Sequence, residues 1–182
     1  MKFIFFLFTF ITVFSSCKEE NNIRKLENKD QHTIVQPGIG TEKFIVGKTN
    51  IKNVFVELGK PNKFTQGITD YTNREATFEN RYFYIKEGLT FITETDESKG
   101  EDIENAVIEV IIFEENSKAK TSDGLALGGI AGKINYVYGK QDKDRTPNPD
   151  YPYFYYRKKG LTVKIDPDTK NINEFIIYQP YE

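Results

Sequence analysis

Three stretches in the first half of this chain reappear in the same order in the second half, and that internal correspondence constrains the fold more than any other feature. Ile51–Lys60 aligns with Ala131–Lys140 at an offset of 80, Tyr82–Phe91 with Phe154–Val163 at 72, and Val107–Glu114 with Ile172–Gln179 at 65. The order is kept while the offset shrinks, so the second stretch has shorter connections. The expectation is an α+β fold of two tandem repeats, 37–115 and 124–182, joined by a linker at 116–123. Each repeat is read as a short helix packed on an antiparallel sheet of three to four strands.

The local patterns support those elements. Ile51, Val54, Phe55 and Leu58 fall at i, i+3, i+4 and i+7, one face of a helix. Thr49 or Asn50 can cap its start, Gly59 can end it, and Pro61 blocks continuation. In the second half Ile130, Ile134, Val137 and Tyr138 make a similar stripe, weakened by Gly132 inside it. Strands are predicted at Arg81–Ile85, Leu89–Thr95 and Ala106–Glu114, and again at Tyr153–Arg157, Leu161–Ile165 and Ile172–Tyr178. Gly88 and Gly160 mark the turns between the first and second strand of each set. Leading strands are expected at Lys43–Val46 and Leu125–Leu127, and the polar stretch Asn62–Asn80 reads as a loop. With 15 Phe and 11 Tyr there is ample material for a core, although a repeat of 60 to 75 residues has a thin one, so the two should pack together.

The N-terminus reads as an address. Met1 and Lys2 precede an almost unbroken apolar run from Phe3 to Phe14. As a helix that run rises about 18 Å, too short for a hydrocarbon core of about 30 Å. It therefore reads as a signal peptide, residues 1–16. The ending Phe14-Ser15-Ser16-Cys17 resembles a bacterial lipoprotein signal, which implies that Cys17 is the lipidated first mature residue. Lys18-Glu19-Glu20 resembles the surface-export signal of lipoproteins in the Bacteroidetes. Residues 17–36 are polar and read as a flexible tether.

Most chemistries find no residues to use. Lys plus Arg is 25 against 27 Asp plus Glu, without the basic excess of a nucleic-acid binder. The one histidine, His32, lies in the expected tether, so no triad or two-histidine metal site can be built within one chain. The one cysteine is Cys17, which leaves no thiol nucleophile in the folded part. Asp96, Glu97, Glu101 and Asp102, and likewise Asp166 and Asp168, sit in turns without the spacing of a calcium loop. Gly124, Gly128, Gly129 and Gly132 fit neither phosphate-binding fingerprint. No metal, cofactor or catalytic residue is expected.

The aromatic cluster Tyr151, Tyr153, Phe154, Tyr155 and Tyr156 is more informative. In a strand, Tyr153 and Tyr155 face one way while Phe154 and Tyr156 face the other. One set can pack beneath a helix and the other lie on the open side of the sheet, where Tyr favours interfaces. Tyr82 and Tyr84 repeat the pattern in the first half, with Tyr84 matching Tyr156. The candidate partner-binding residues are Tyr82, Tyr84, Tyr153 and Tyr155.

A hydrophobic helix ending in Leu58-Gly59-Lys60-Pro61, followed by Tyr-rich strands, the return Gly88-Leu89-Thr90-Phe91 and a final amphipathic strand, resembles the SmpA/BamE-like group of small envelope lipoproteins. The tandem arrangement is similar to beta-lactamase inhibitor protein. The resemblance implies a binding or scaffolding role. Taken together, the residues and the resemblance lead to the expectation of a non-enzymatic, lipid-anchored protein-binding or scaffolding module at the outer membrane, on its periplasmic side or at the cell surface. A glycan-binding module and a carboxylate-dependent hydrolase are the alternatives.

Overall fold

A computed structural model describes residues 32–70, 77–96, 100, 102–142 and 152–181, and all statements below concern these. Cys17, Tyr151 and the proposed signal peptide lie outside them.

The first helix, α1 (Ile51–Leu58), forms where the apolar spacing places it. Asn50 caps it by accepting a hydrogen bond from the Asn53 amide, 3.1 Å, and buried Ile51 and Val54 face inward. The second, α2 (Gly132–Tyr138), begins after Ile130, which is 66% exposed and therefore not part of its apolar stripe. Both helices end at a glycine of positive φ, Gly59 at 79° and Gly139 at 76°, a conformation other residues adopt at a cost.

The strands are β1 (Thr33–Val35), β2 (Lys63–Asp70), β3 (Thr77–Tyr84), β4 (Leu89–Asp96), β5 (Ile108–Glu114), β6 (Ala119–Thr121), β7 (Tyr153–Tyr156), β8 (Leu161–Ile165) and β9 (Ile172–Tyr178). Seven form one antiparallel sheet in the order β2-β3-β4-β5-β9-β8-β7. This overturns the expected pair of tandem repeats, each with its own three- to four-stranded sheet. β5 pairs directly with β9, from Val110 opposite Tyr178 to Glu114 opposite Glu174, so the sheet runs unbroken between the halves. β2 adds an edge strand in what reads as a loop, and among the described residues no strand lies beyond β7. The physical reason is edge burial. Separate small sheets would each leave one more row of unpaired backbone groups, which the β5–β9 ladder satisfies.

Two further expectations are corrected. Thr33–Val35, inside the expected tether, pairs in parallel with Ala119–Thr121, inside the expected linker. Val35, Ala119 and Thr121 are buried, so both segments belong to the folded body. The expected leading strands at Lys43–Val46 and Leu125–Leu127 reduce to isolated bridges at Ile45 and Ala126.

Cross-strand rows define the two faces of the large sheet. Phe64, Tyr82, Phe91, Ile111, Ile177, Leu161 and Tyr156 lie side by side across seven strands. All but Phe64 are buried, and they join Ile51, Val54 and Ile134 of the helices in one core. Phe44 and Tyr84 meet the ring of Phe91 edge-on at 5.1 and 5.7 Å. Each helix end is also pinned from the sheet: the Tyr84 hydroxyl donates to Gly59 O at 2.9 Å, and that of Tyr156 to Gly139 O at 3.0 Å. Removing either hydroxyl, in Tyr84→Phe or Tyr156→Phe, is expected to cost about 1 kcal/mol in urea unfolding. An unchanged midpoint in both variants would show that neither tether contributes to stability.

Candidate functional site

The opposite face of the sheet carries neither described helix. Its central row runs Lys63, Phe83, Thr90, Ile112, Ile176, Thr162 and Tyr155, and the next row runs Thr65, Arg81, Ile92, Val110 and Tyr178. Phe83, Val110, Ile112, Tyr155, Ile176 and Tyr178 are all half-buried, held in place by their neighbours yet accessible. The Tyr178 hydroxyl lies 3.1 Å from Thr162 Oγ1, and burial pushes up its pKa. Tyr181 stacks against Tyr178 at 5.6 Å, and the Arg157 guanidinium lies 6.0 Å from the Tyr181 ring centre.

Charged groups border this aromatic and aliphatic band. At one end the row Glu114, Glu174, Lys164, Tyr153 crosses four strands. Glu114 and Glu174 stand directly opposite each other, a repulsive arrangement that the Lys164–Glu174 ion pair relieves. The Lys164 ammonium is also 5.9 Å from the Tyr153 ring centre. Burial disfavours its charge, but Glu174, Tyr153 and Glu114 together outweigh that and hold its pKa above the ordinary value.

At the other end Glu109, next to the irregularity that interrupts the β4–β5 register, faces Glu94. Burial and then the Glu94 charge raise the Glu109 pKa. A carboxyl with a raised folded-state pKa holds its proton more tightly in the folded chain. It therefore favours folding at low pH, and that contribution is lost as pH rises through the folded value. Glu109→Gln is expected to melt at a higher temperature than the parent at pH 7, with the difference disappearing near pH 4. Equal melting temperatures at both pH values would contradict this reading.

The four tyrosines singled out from the sequence are not brought together. Tyr153 and Tyr155 lie on the open face, half-buried, with ring centres 6.0 Å apart. Tyr82 and Tyr84 lie beneath α1, each 2% exposed, and their place in the core corrects their reading as contact residues. Burial raises both phenols, Tyr84 to about 12 with Glu87 and Tyr82 adding to the effect. Phe83, between them, is the residue that faces outward, with Lys63 Nζ 5.4 Å from its ring centre. Sequence reasoning missed Phe83, Ile112, Ile176 and Tyr178; the two-residue period from Tyr155 and Tyr153 applies to each of their strands.

Among the described residues no three His, Cys, Asp or Glu side chains are arranged to hold a metal ion. Glu109, the described carboxyl with a raised pKa, is only partly desolvated and lies on the sheet surface, not in a cleft. One concavity opens at the charged end of the open face and another lies away from it. The first, of about 190 Å³, is lined by Glu114, Glu115, Asn116, Asn173 and Glu174, and the second, of about 470 Å³, by residues of 38–48 with Gln179 and Pro180. No described helix is long and apolar enough to cross a membrane.

No protein-family model matches the chain, and no curated protein matches it. Among solved structures, a cysteine-rich secretory protein from Staphylococcus aureus is similar over 84% of this chain and 54% of its own, at 13% identity and a TM-score of 0.47. The chain thus spans about half the length of that protein.

Proposed function

We propose that this chain is a non-enzymatic recognition module, tethered to a membrane by lipid on Cys17, that meets a protein partner with the open face of its sheet. The observation that carries this reading is the band of half-buried Phe83, Ile112, Ile176, Tyr178 and Tyr155, which crosses the sheet with neither described helix above it. Tyrosines on a rigid sheet bury a large area at little entropic cost and keep a hydroxyl for a hydrogen bond, which suits protein recognition. The anchor rests on the sequence: the apolar run Phe3–Phe14 and the single cysteine just after Ser15-Ser16. The place of action is the outer membrane, on its periplasmic side or at the cell surface, in keeping with the resemblance to small envelope lipoproteins.

The test is a cross-linked pull-down from intact cells with the parent and with Tyr153→Ala/Tyr155→Ala, whose folding is checked by circular dichroism. The expected result is one reproducible partner captured by the parent and lost at least tenfold in the folded variant. Equal capture by both proteins would move the interface elsewhere, and no reproducible partner for the parent would remove the protein-binding reading.

A further inference from the structure

The two edges of the seven-stranded sheet are treated differently by the chain. At β7, the edge carbonyl of Tyr155 accepts a hydrogen bond from Asp142 N at 2.9 Å, and the Asp142 carboxylate accepts one from Arg157 N at 2.7 Å. Among the described residues, that edge is met by the protein's own backbone at Tyr155. At β2 the only strand partner is β3, and no described residue bonds the outer side. The usual protections of a free edge are also sparse here. Lys63–Ile68 contains no proline, and its only charge is at its first position. The register irregularity comes after Ile68, so six residues remain regular.

The side chains on this edge are incomplete as a surface. Phe64 rests on Tyr82 at 5.1 Å between ring centres, at the end of the buried row that crosses the whole sheet, yet it is 46% exposed. Ile68, four residues along on the same face, is also 46% exposed. Between them, Gln66 donates from Nε2 to Asn80 Oδ1 at 3.0 Å, and Asn80 donates on to Thr95 Oγ1 at 2.9 Å. This fixes the Gln66 amide and leaves its Oε1 and second N–H directed away from that bond. Gly67 has nothing within 4 Å of where a Cβ would stand, so nothing obstructs an incoming strand there.

We infer that β2 pairs antiparallel with β2 of a second copy of this chain, about a two-fold axis at Gln66. The strand is self-complementary in this register. Phe64 falls opposite Ile68 of the second copy, and the reciprocal pair forms on the other side of the axis. The buried apolar row of one sheet therefore continues into the other. Gln66 falls opposite its own counterpart, where the two amides can exchange a hydrogen bond and fix the register, since a shift by one residue would turn Phe64 to the wrong face. Thr65 falls opposite Gly67. The interface involves a different surface from the open aromatic face and stands independently of the function proposed above. A pair of six-residue strands is smaller than a standard interface of about 1,600 Å², so association in roughly the micromolar to hundred-micromolar range is expected.

The test uses the full chain carrying Cys17→Ser, so that an introduced cysteine is the sole thiol. Directly opposed residues in antiparallel strands hold their Cβ atoms about 5 Å apart and can be joined by a disulfide, whereas diagonal neighbours at about 7 Å cannot. Gln66→Cys is expected to oxidise to a covalent dimer at least tenfold faster than Thr65→Cys, and adding Ile68→Lys to Gln66→Cys should abolish the difference. Sedimentation of the cysteine-free chain up to about 500 μM should show a reversible dimer that Ile68→Lys removes, which keeps the test valid if Gln66→Cys does not fold. A monomer across that range, equal cross-linking at 65 and 66, or a dimer untouched by Ile68→Lys would each overturn the inference.

Discussion

Gly160→Ala is expected to destabilise the fold by roughly 3–5 kcal/mol, combining backbone strain with overpacking. Gly160 has φ of 63°, in the left-handed region. A Cβ there would stand 2.1 Å from Tyr178 O and 2.6 Å from the Gly38 Cα, both backbone atoms that cannot rotate away. Gly160 O in turn accepts hydrogen bonds from Gly38 N at 3.2 Å and Tyr178 N at 3.1 Å. Three segments therefore meet at one residue, and moving any of them breaks bonds to the others. Gly100 has the same φ of 63° with nothing within 4 Å of its Cβ position. Gly100→Ala should thus cost only the conformational part, about 1–2 kcal/mol. Urea unfolding of the two variants separates the contributions, and equal costs would show that the close approach at Gly160 is not made.

The second large effect is expected at Phe91. Its side chain is fully buried in β4 and touches the rings of Phe44 and Tyr84, so Phe91→Ala should cost about 3–5 kcal/mol through lost contacts and a residual cavity. Where that loss is felt matters more than its size. In one continuous sheet, the Leu161–Ile165 amides of β8 unfold together with those of Leu89–Asp96, through the β5–β9 ladder. Hydrogen exchange should therefore show protection falling in both strands by a similar free energy. Two separately folding units would leave β8 protection unchanged.

What was legible in the sequence was local. Ile51, Val54 and Gly59 define α1 because a helix imposes its own spacing, and Gly88 and Gly160 define their turns because few other residues tolerate φ of 63°. The strand β2 was not legible, because Lys63–Asp70 is an edge strand with too few apolar residues, Phe64 and Ile68, to distinguish it from a polar loop. The pairing of Thr33–Val35 with Ala119–Thr121 leaves no local pattern either, since each contributes only three residues.

The continuity of the sheet did leave a signal. Val110-Ile111-Ile112-Phe113 and Phe175-Ile176-Ile177 are apolar at successive positions, and so serve both faces, as interior strands do. The open face was half legible. The period of two assigns Tyr153 and Tyr155 to one side, and the match of Tyr84 to Tyr156 places Tyr84 and Tyr82 on the other. Only the register of seven strands then brings Phe83, Ile112, Ile176 and Tyr178 beside Tyr155.

The most direct test of the open face as an interface is tyrosine nitration, read residue by residue, in intact cells and on the purified protein. Tyr136, 92% exposed on α2, is the internal reference for reagent access, and buried Tyr84 and Tyr156 are the reference for folding. Recognition through the open face predicts that Tyr153, Tyr155 and Tyr178 react in the purified protein and are protected severalfold in cells, while Tyr136 reacts equally in both. Equal reactivity of Tyr153, Tyr155 and Tyr178 in the two settings would contradict it.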